Sequence, residues 1–205
     1  MQLFEMVNIT ANFKRLMDVS DQEKQLLVWD YFEQVRDKFK AKPTDKVRLL
    51  VAWAAIETFS KTRPPLQCAK GCSRCCYQQT TISDTEALAL VDYCAQHKIP
   101  ISVDHLREQL DMEIEDYQLD NRSKCVFLSD KGECAVYEVR PLVCRAMAVG
   151  AGMDVNNCGP QGKQYVIGDF KIESTIGAYW SSTKSTIDSL PKKLIGLLEN
   201  EVKPT

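Results

Sequence analysis

Four cysteines fall within nine residues, Cys68-Ala-Lys-Gly-Cys72-Ser-Arg-Cys75-Cys76, and four more follow at Cys125, Cys134, Cys144 and Cys158. A chain built this way must bring many sulfur atoms into a small volume, which limits what it can fold around. Isolated cysteines are usually scattered, buried and inert. Clustered thiols among turn-forming and basic residues read instead as ligands for a soft metal or an iron–sulfur cluster. Compartment decides between that reading and disulfides. The segment 1–10 lacks the basic start and continuous apolar stretch of a signal peptide, so a reducing, cytoplasmic location is expected. The longest apolar run, from Leu49 to Ile56, is far too short to cross a bilayer, and no membrane partner is expected. A formal net charge of -2 gives no electrostatic case for nucleic acid as a partner.

Within the first knot, Cys72-x-x-Cys75 has the spacing that lets two sulfurs of one tight turn reach one metal. Gly71 permits the close backbone turn such a knuckle needs. Cys68 can supply a further ligand from the approaching chain. Cys76 adjoins Cys75, and neighbouring side chains point in different directions. The vicinal pair therefore calls for two nearby sites or one multinuclear cluster. Cys125, Cys134, Cys144 and Cys158 bring the candidates to eight, enough for two four-thiolate sites. Zinc or iron, the latter including a [4Fe-4S] cluster, is the expected occupant. Lys70, Arg74, Lys124, Arg140 and Arg145 lie close in sequence to these cysteines and are expected to lower their pKa values.

The rest of the chain predicts a mainly α fold, with a helical frame around an irregular cysteine-rich lobe and at most short β strands. One domain is expected over 1–205, with a helical hairpin extension at 1–63, a cysteine core at 66–160 and a helical segment at 161–205. Ser20 to Glu23 forms a capping box, and Val28, Phe32, Val35 and Phe39 line one face of the helix it opens. Thr44 caps the next helix, and Trp29 and Trp53 are expected in the core. A second box, Ser83 to Glu86, opens a helix to about His97 that buries Ala87, Leu90, Val91 and Cys94. That register makes Cys94 a core thiol rather than a ligand. Ser102 caps a helix carrying Leu106, Leu110, Ile114 and Tyr117, with Glu113, Glu115 and Asp116 on its solvated face. His97 is placed at a helix C-terminus and His105 on the surface.

From Asn121 to about Lys171 the helical period is lost. Cys125–Leu128 and Ala135–Tyr137 read as short strands around the turn Ser129–Gly132. A stretch with so little regular structure needs something to hold it, and metal ligation would offset its ordering entropy. Helix returns in the tail, with Pro191 near its N-terminus and Leu190, Leu194 and Leu197 inward.

Cys68-x3-Cys72-x2-Cys75-Cys76, then Cys125-Val-Phe-Leu, Cys134-Ala-Val-Tyr137 and Arg140-Pro141-Leu-Val-Cys144-Arg145, resemble the YkgJ-type cysteine-cluster family over about residues 66 to 160. The gap after Cys68 is three residues where the family pattern has two, and Cys158 matches by position. The resemblance implies a protein that chelates zinc or iron through its cysteines; Arg140 and Arg145 are expected to support those ligands from behind. Some relatives are flagellin lysine N-methylases, which implies as an alternative a protein lysine methyltransferase using S-adenosylmethionine, or another iron-dependent modifying enzyme with a protein substrate. Against that alternative, Gly150-Ala-Gly152 is a bare Gly-x-Gly with no strand before it. Cys68, Cys72 and Cys75 do carry the spacing of radical enzymes, which favours iron–sulfur over zinc. A purely structural metal site in a protein-interaction module is the third reading. No nucleophile–histidine–acid set can be placed.

Overall fold

The computed structural model of the chain describes residues 22–61, 72–113, 116–147 and 170–201. Among these, seven α-helices frame one two-stranded sheet: α1 (Gln22–Lys40), α2 (Asp45–Lys61), β1 (Thr81–Ser83), α3 (Asp84–His97), α4 (Val103–Leu110), α5 (Leu142–Met147), α6 (Phe170–Ser182), β2 (Ile187–Ser189) and α7 (Leu190–Glu201). The mainly helical class expected from the periodicity is what the chain adopts.

The helix starts follow local chemistry. Thr44 Oγ1 accepts the Val47 amide at 3.2 Å and its carbonyl accepts that of Arg48, opening α2. Ser83 and Glu86 form the complete capping box of α3. Ser102 Oγ accepts the His105 amide at the head of α4. The box anticipated at Ser20 lies outside the described residues. α1 shows its apolar face as expected, with Phe39 buried and Phe32 and Val35 packed on the core. α1 and α2 nevertheless pack on α6 more than on each other, and α2 also rests on α5. Trp53 is partly buried, whereas Trp29 is 51 % exposed and merely stacks on Phe32 at 5.5 Å, which corrects its assignment to the core.

α4 stops at Leu110, earlier than its apolar spacing suggests. Gln109, not Leu110, turns inward, and Leu110 is 41 % exposed. Tyr117 reaches the interior from outside the helix. Glu113 and Asp116 do not continue α4: Asp116 lies in a 3-10 turn in which its amide donates to Glu113 O at 3.0 Å and its carboxylate accepts the Glu113 amide at 3.0 Å. Ile114 and Glu115 lie outside the described residues.

β1 and β2 pair antiparallel, Ile82 opposite Asp188. Each strand runs directly into a helix, β1 into α3 and β2 into α7. Two apolar cores result. One joins α1, α2, α5 and α6 through Phe39, Leu49, Ile56, Leu142, Ile172 and Tyr179. The other joins β1, α3, α4 and α7 through Ile82, Leu90, Leu106, Leu190 and Leu194, with Phe127 and Val136. Cys94 is buried in it, as its helical register predicts.

Glu86 connects the cores. Its fully buried carboxylate accepts Ser83 N–H and Ser83 O–H, each at 2.8 Å, and Leu142 N–H at 2.8 Å across 56 residues. With the Ser83 proton on Glu86, the Tyr179 hydroxyl donates to Ser83 Oγ at 3.2 Å. Glu86→Ala would leave these donors buried and unpaired, and should lower the unfolding free energy by about 3 kcal/mol, read as a drop in denaturant midpoint at constant slope.

A second, half-buried acid gives a pH signature. Glu173 on α6 has a buried Oε2 with no partner among the described residues, and burial pushes its carboxyl up to about 7. The unfolded chain releases this proton first, so stability falls as pH rises from its usual carboxylate range towards 7 and stays reduced above. Glu173→Gln should match the parent at pH 4 and exceed it at pH 8 by about 1–2 kcal/mol, less than full linkage because the group keeps some hydration. Equal melting curves for the two proteins at pH 8 would contradict this.

Candidate metal centre

Six of the eight cysteines anticipated as ligands are described, and Cys68 and Cys158 lie outside the described residues, as does Lys70. All seven described cysteines, Cys94 included, are free thiols. Four separate pieces of chain carry the six. Cys72 precedes a 3-10 turn, Arg74–Tyr77, which holds Cys75 and Cys76 and is closed by Cys76 N–H to Ser73 O at 2.9 Å. Cys125 N–H donates to Cys76 O at 2.7 Å, so the first knot is tied directly to the second segment. Cys134 returns opposite Leu128 in an isolated antiparallel bridge, and Ala135 N–H donates to Phe127 O at 2.8 Å. The turn between them needs Gly132, whose φ of 76° is strained for any residue with a Cβ. The two strands expected here thus reduce to one bridge, followed by a 3-10 turn at Tyr137–Val139. Cys144 rides on α5, whose other inward residues are fixed in the helical core.

Cys125 and Cys134 also pack against the second core, which brings the lobe onto β1, α3 and α7. His105 and Gln109 of α4 hold the same lobe from the side. His105 Nε2 donates to Lys124 O at 2.5 Å and Gln109 Nε2 to the same carbonyl at 2.8 Å. His105 is therefore a partly buried scaffold residue rather than a surface one, whereas His97 ends α3 exposed, stacked on Tyr93.

The thiols feel one another. Cys75 is driven far above the usual thiol range by its hydrogen bond with Cys76, by burial, and by the charges of Cys76 and Cys72. Cys125 is pushed up to about 12 by burial and then by Cys144, Cys134 and Cys75. Cys144 is pushed up to about 12 by burial, by Cys75 and Cys134, and by Glu86. Burial also raises Cys134, against the pull of Arg140. The expected lowering of thiol pKa values by flanking cations is thus overturned: desolvation and mutual repulsion win. Lys124 instead pairs with Asp130 at 2.7 Å. Arg145 is 4 % exposed; it pairs with Glu57 at 2.5 Å, donates to Arg140 O and Glu138 O, and lies 4.5 Å over the Trp53 ring.

No three of the described His, Cys, Asp or Glu side chains stand close enough to hold an ion as placed. The donor set itself is chemically apt, since thiolates from four segments suit soft or borderline metals and a cation among them would relieve the repulsion just described. Gly150 and Gly152, the weak dinucleotide-like signal, lie outside the described residues.

Sequence reasoning did not identify Glu86 or Gln109 as residues that position the lobe. For Glu86 the signal was present in its capping box. Gln109 carried none, because a single amide at helical spacing from Leu106 reads as surface.

The arrangement is that of a helical protein presenting a thiol-rich lobe. Residues 67–161 match the model of the CxxCxxCC family, described as a "Putative zinc- or iron-chelating domain". The resemblance read from the cysteine spacing holds at the level of this family, and metal chelation is the function the match supports. No curated protein and no solved structure matches the chain. No helix among the described residues is long and apolar enough to cross a membrane.

Arg145→Ala should remove the donors to the Glu138 and Arg140 carbonyls, break the pair with Glu57 and unstack Trp53. A loss of about 2–4 kcal/mol is expected in denaturant unfolding of the metal-free protein. A change under 0.5 kcal/mol, roughly that of an ordinary surface substitution, would mean these contacts are not made.

Proposed function

We propose that this protein chelates zinc or iron through a thiolate centre drawn from Cys68, Cys72, Cys75, Cys76, Cys125, Cys134, Cys144 and Cys158, in a reducing cytoplasm, with the whole chain acting as one domain. The observation that carries this reading is the match of residues 67–161 to a family described as a "Putative zinc- or iron-chelating domain", in a lobe where Cys125 N–H donates to Cys76 O and so ties two cysteine-bearing segments together. Crowding acidic groups whose charges repel raises the energy of their ionised forms, and a bound cation reverses that energy. Iron–sulfur and zinc are both compatible with sulfur-only donors. The single-domain reading is supported by the core that α1 and α2 share with α5 and α6. No observation among the described residues favours the S-adenosylmethionine-dependent alternative.

Metal analysis of protein purified without oxygen tests this reading. A brown protein with broad visible absorption identifies an iron–sulfur centre, and a colourless one with stoichiometric zinc identifies the zinc form. Cys75→Ser should lose the metal, while Cys94→Ala, a change within the apolar core, should keep it. The opposite pattern would reverse the assignment of ligands.

A further inference from the structure

The chain leaving the first cysteine knot borders a small cavity. Gln78, Thr80, Tyr117, Cys125, Leu190 and Pro191 are among its walls, so it lies where the knot, the chain after α4 and the start of α7 meet. The volume open to the centre of a water molecule is about 10 Å3, close to what one water requires. Gln78 ends the 3-10 turn that holds Cys75 and Cys76, and its Oε1 is buried without a hydrogen-bond partner among the described residues. Buried acceptors are almost always paired. Tyr117 offers a second acceptor, because its proton goes to Gln109 O at 3.5 Å and leaves a lone pair on its oxygen. The far wall is pinned, since Leu190 N–H donates to Thr80 O at 2.7 Å.

We propose that this cavity is the binding site of one structural water, which donates one hydrogen to Gln78 Oε1 and the other to the Tyr117 oxygen. Such a water satisfies a buried acceptor and ties the exit of the knot to the chain that follows α4. Cys125, whose N–H donates to Cys76 O, borders the same space. The water therefore braces the two cysteine-bearing segments at a second point. Among the described residues no carboxylate, ammonium or guanidinium lines the cavity, and a neutral ligand of this size is water. Scaffold atoms alone hold it, whether or not a metal is bound.

Oxygen-17 relaxation dispersion on the full chain counts its long-lived waters. Gln78→Met, similar in length but without the acceptor, should hold one fewer than the parent. At matched metal content its melting midpoint should fall by about 2–4 °C. A dry cavity gives the opposite sign: methionine would then remove an unpaired buried acceptor, and the midpoint would hold or rise. Tyr117→Phe, which keeps the ring, should lose the same water. An unchanged water count in either variant would overturn the inference, as would a Gln78→Met midpoint at or above that of the parent. A lowered midpoint with an unchanged count records a packing defect and overturns it equally.

Discussion

The buried carboxylate of Glu86 is where the two halves of the fold meet. It closes the first turn of α3 through Ser83 and accepts the leading amide of α5. Pro141, which has no N–H of its own, sits just before that amide, so Glu86 satisfies the first backbone donor of a very short helix, one with no partner inside the helix. Burial holds this carboxyl above its usual range even with hydrogen bonds from Leu142 and Ser83 opposing the shift. The arrangement is costly to desolvate and stable only while all its donors remain in place. Because α5 carries Cys144, the position of one candidate ligand depends on a residue that never touches sulfur.

The cysteine lobe follows a related logic: burial raises the proton affinity of Cys125 and Cys144 as it does that of Glu86, but here neighbouring thiols add to the shift. The scaffold supplies position through backbone bonds such as Cys125 N–H to Cys76 O, and through His105 and Gln109 gripping the Lys124 carbonyl. Arg140 pulls against the upward shift of Cys134. A centre held this way is organised in its main chain before it is organised at its sulfurs.

Where local chemistry governs structure, the sequence was informative. The Ser83–Glu86 box, the Thr44 and Ser102 caps and the inward face of α3 could all be read, because each rests on residues within one turn of each other. The mainly α class and the cysteine pattern were legible for the same reason. The three-residue pairing of β1 with β2 was not, since it depends on partners far apart in the chain, Ile82 and Asp188. Helix α5 was hidden inside an aperiodic stretch, its burial set by α2 and α6. The end of α4 was misplaced because Gln109, a polar residue, is the one buried. The effect of the cations was misjudged for a physical reason: proximity in sequence placed Arg145 near Cys144, but its guanidinium is directed to Glu57.

The pairing of β1 with β2 joins distant chain. Thr186 N–H donates to Asp84 across 102 residues, and Ser83 meets Tyr179 across 96. The segment 67–161, which bears the recognisable cysteine pattern, holds β1 but not β2, and α5 but not the α2 and α6 surfaces that cover it. A fragment trimmed to that segment would expose an unpaired strand edge and half of each apolar core. High contact order of this kind makes folding slow and ties it to late arrival of the C-terminal helices. The edge of the motif is therefore not the edge of the apolar packing, since β1 and α5 lie inside it while β2, α2 and α6, against which they are set, lie outside.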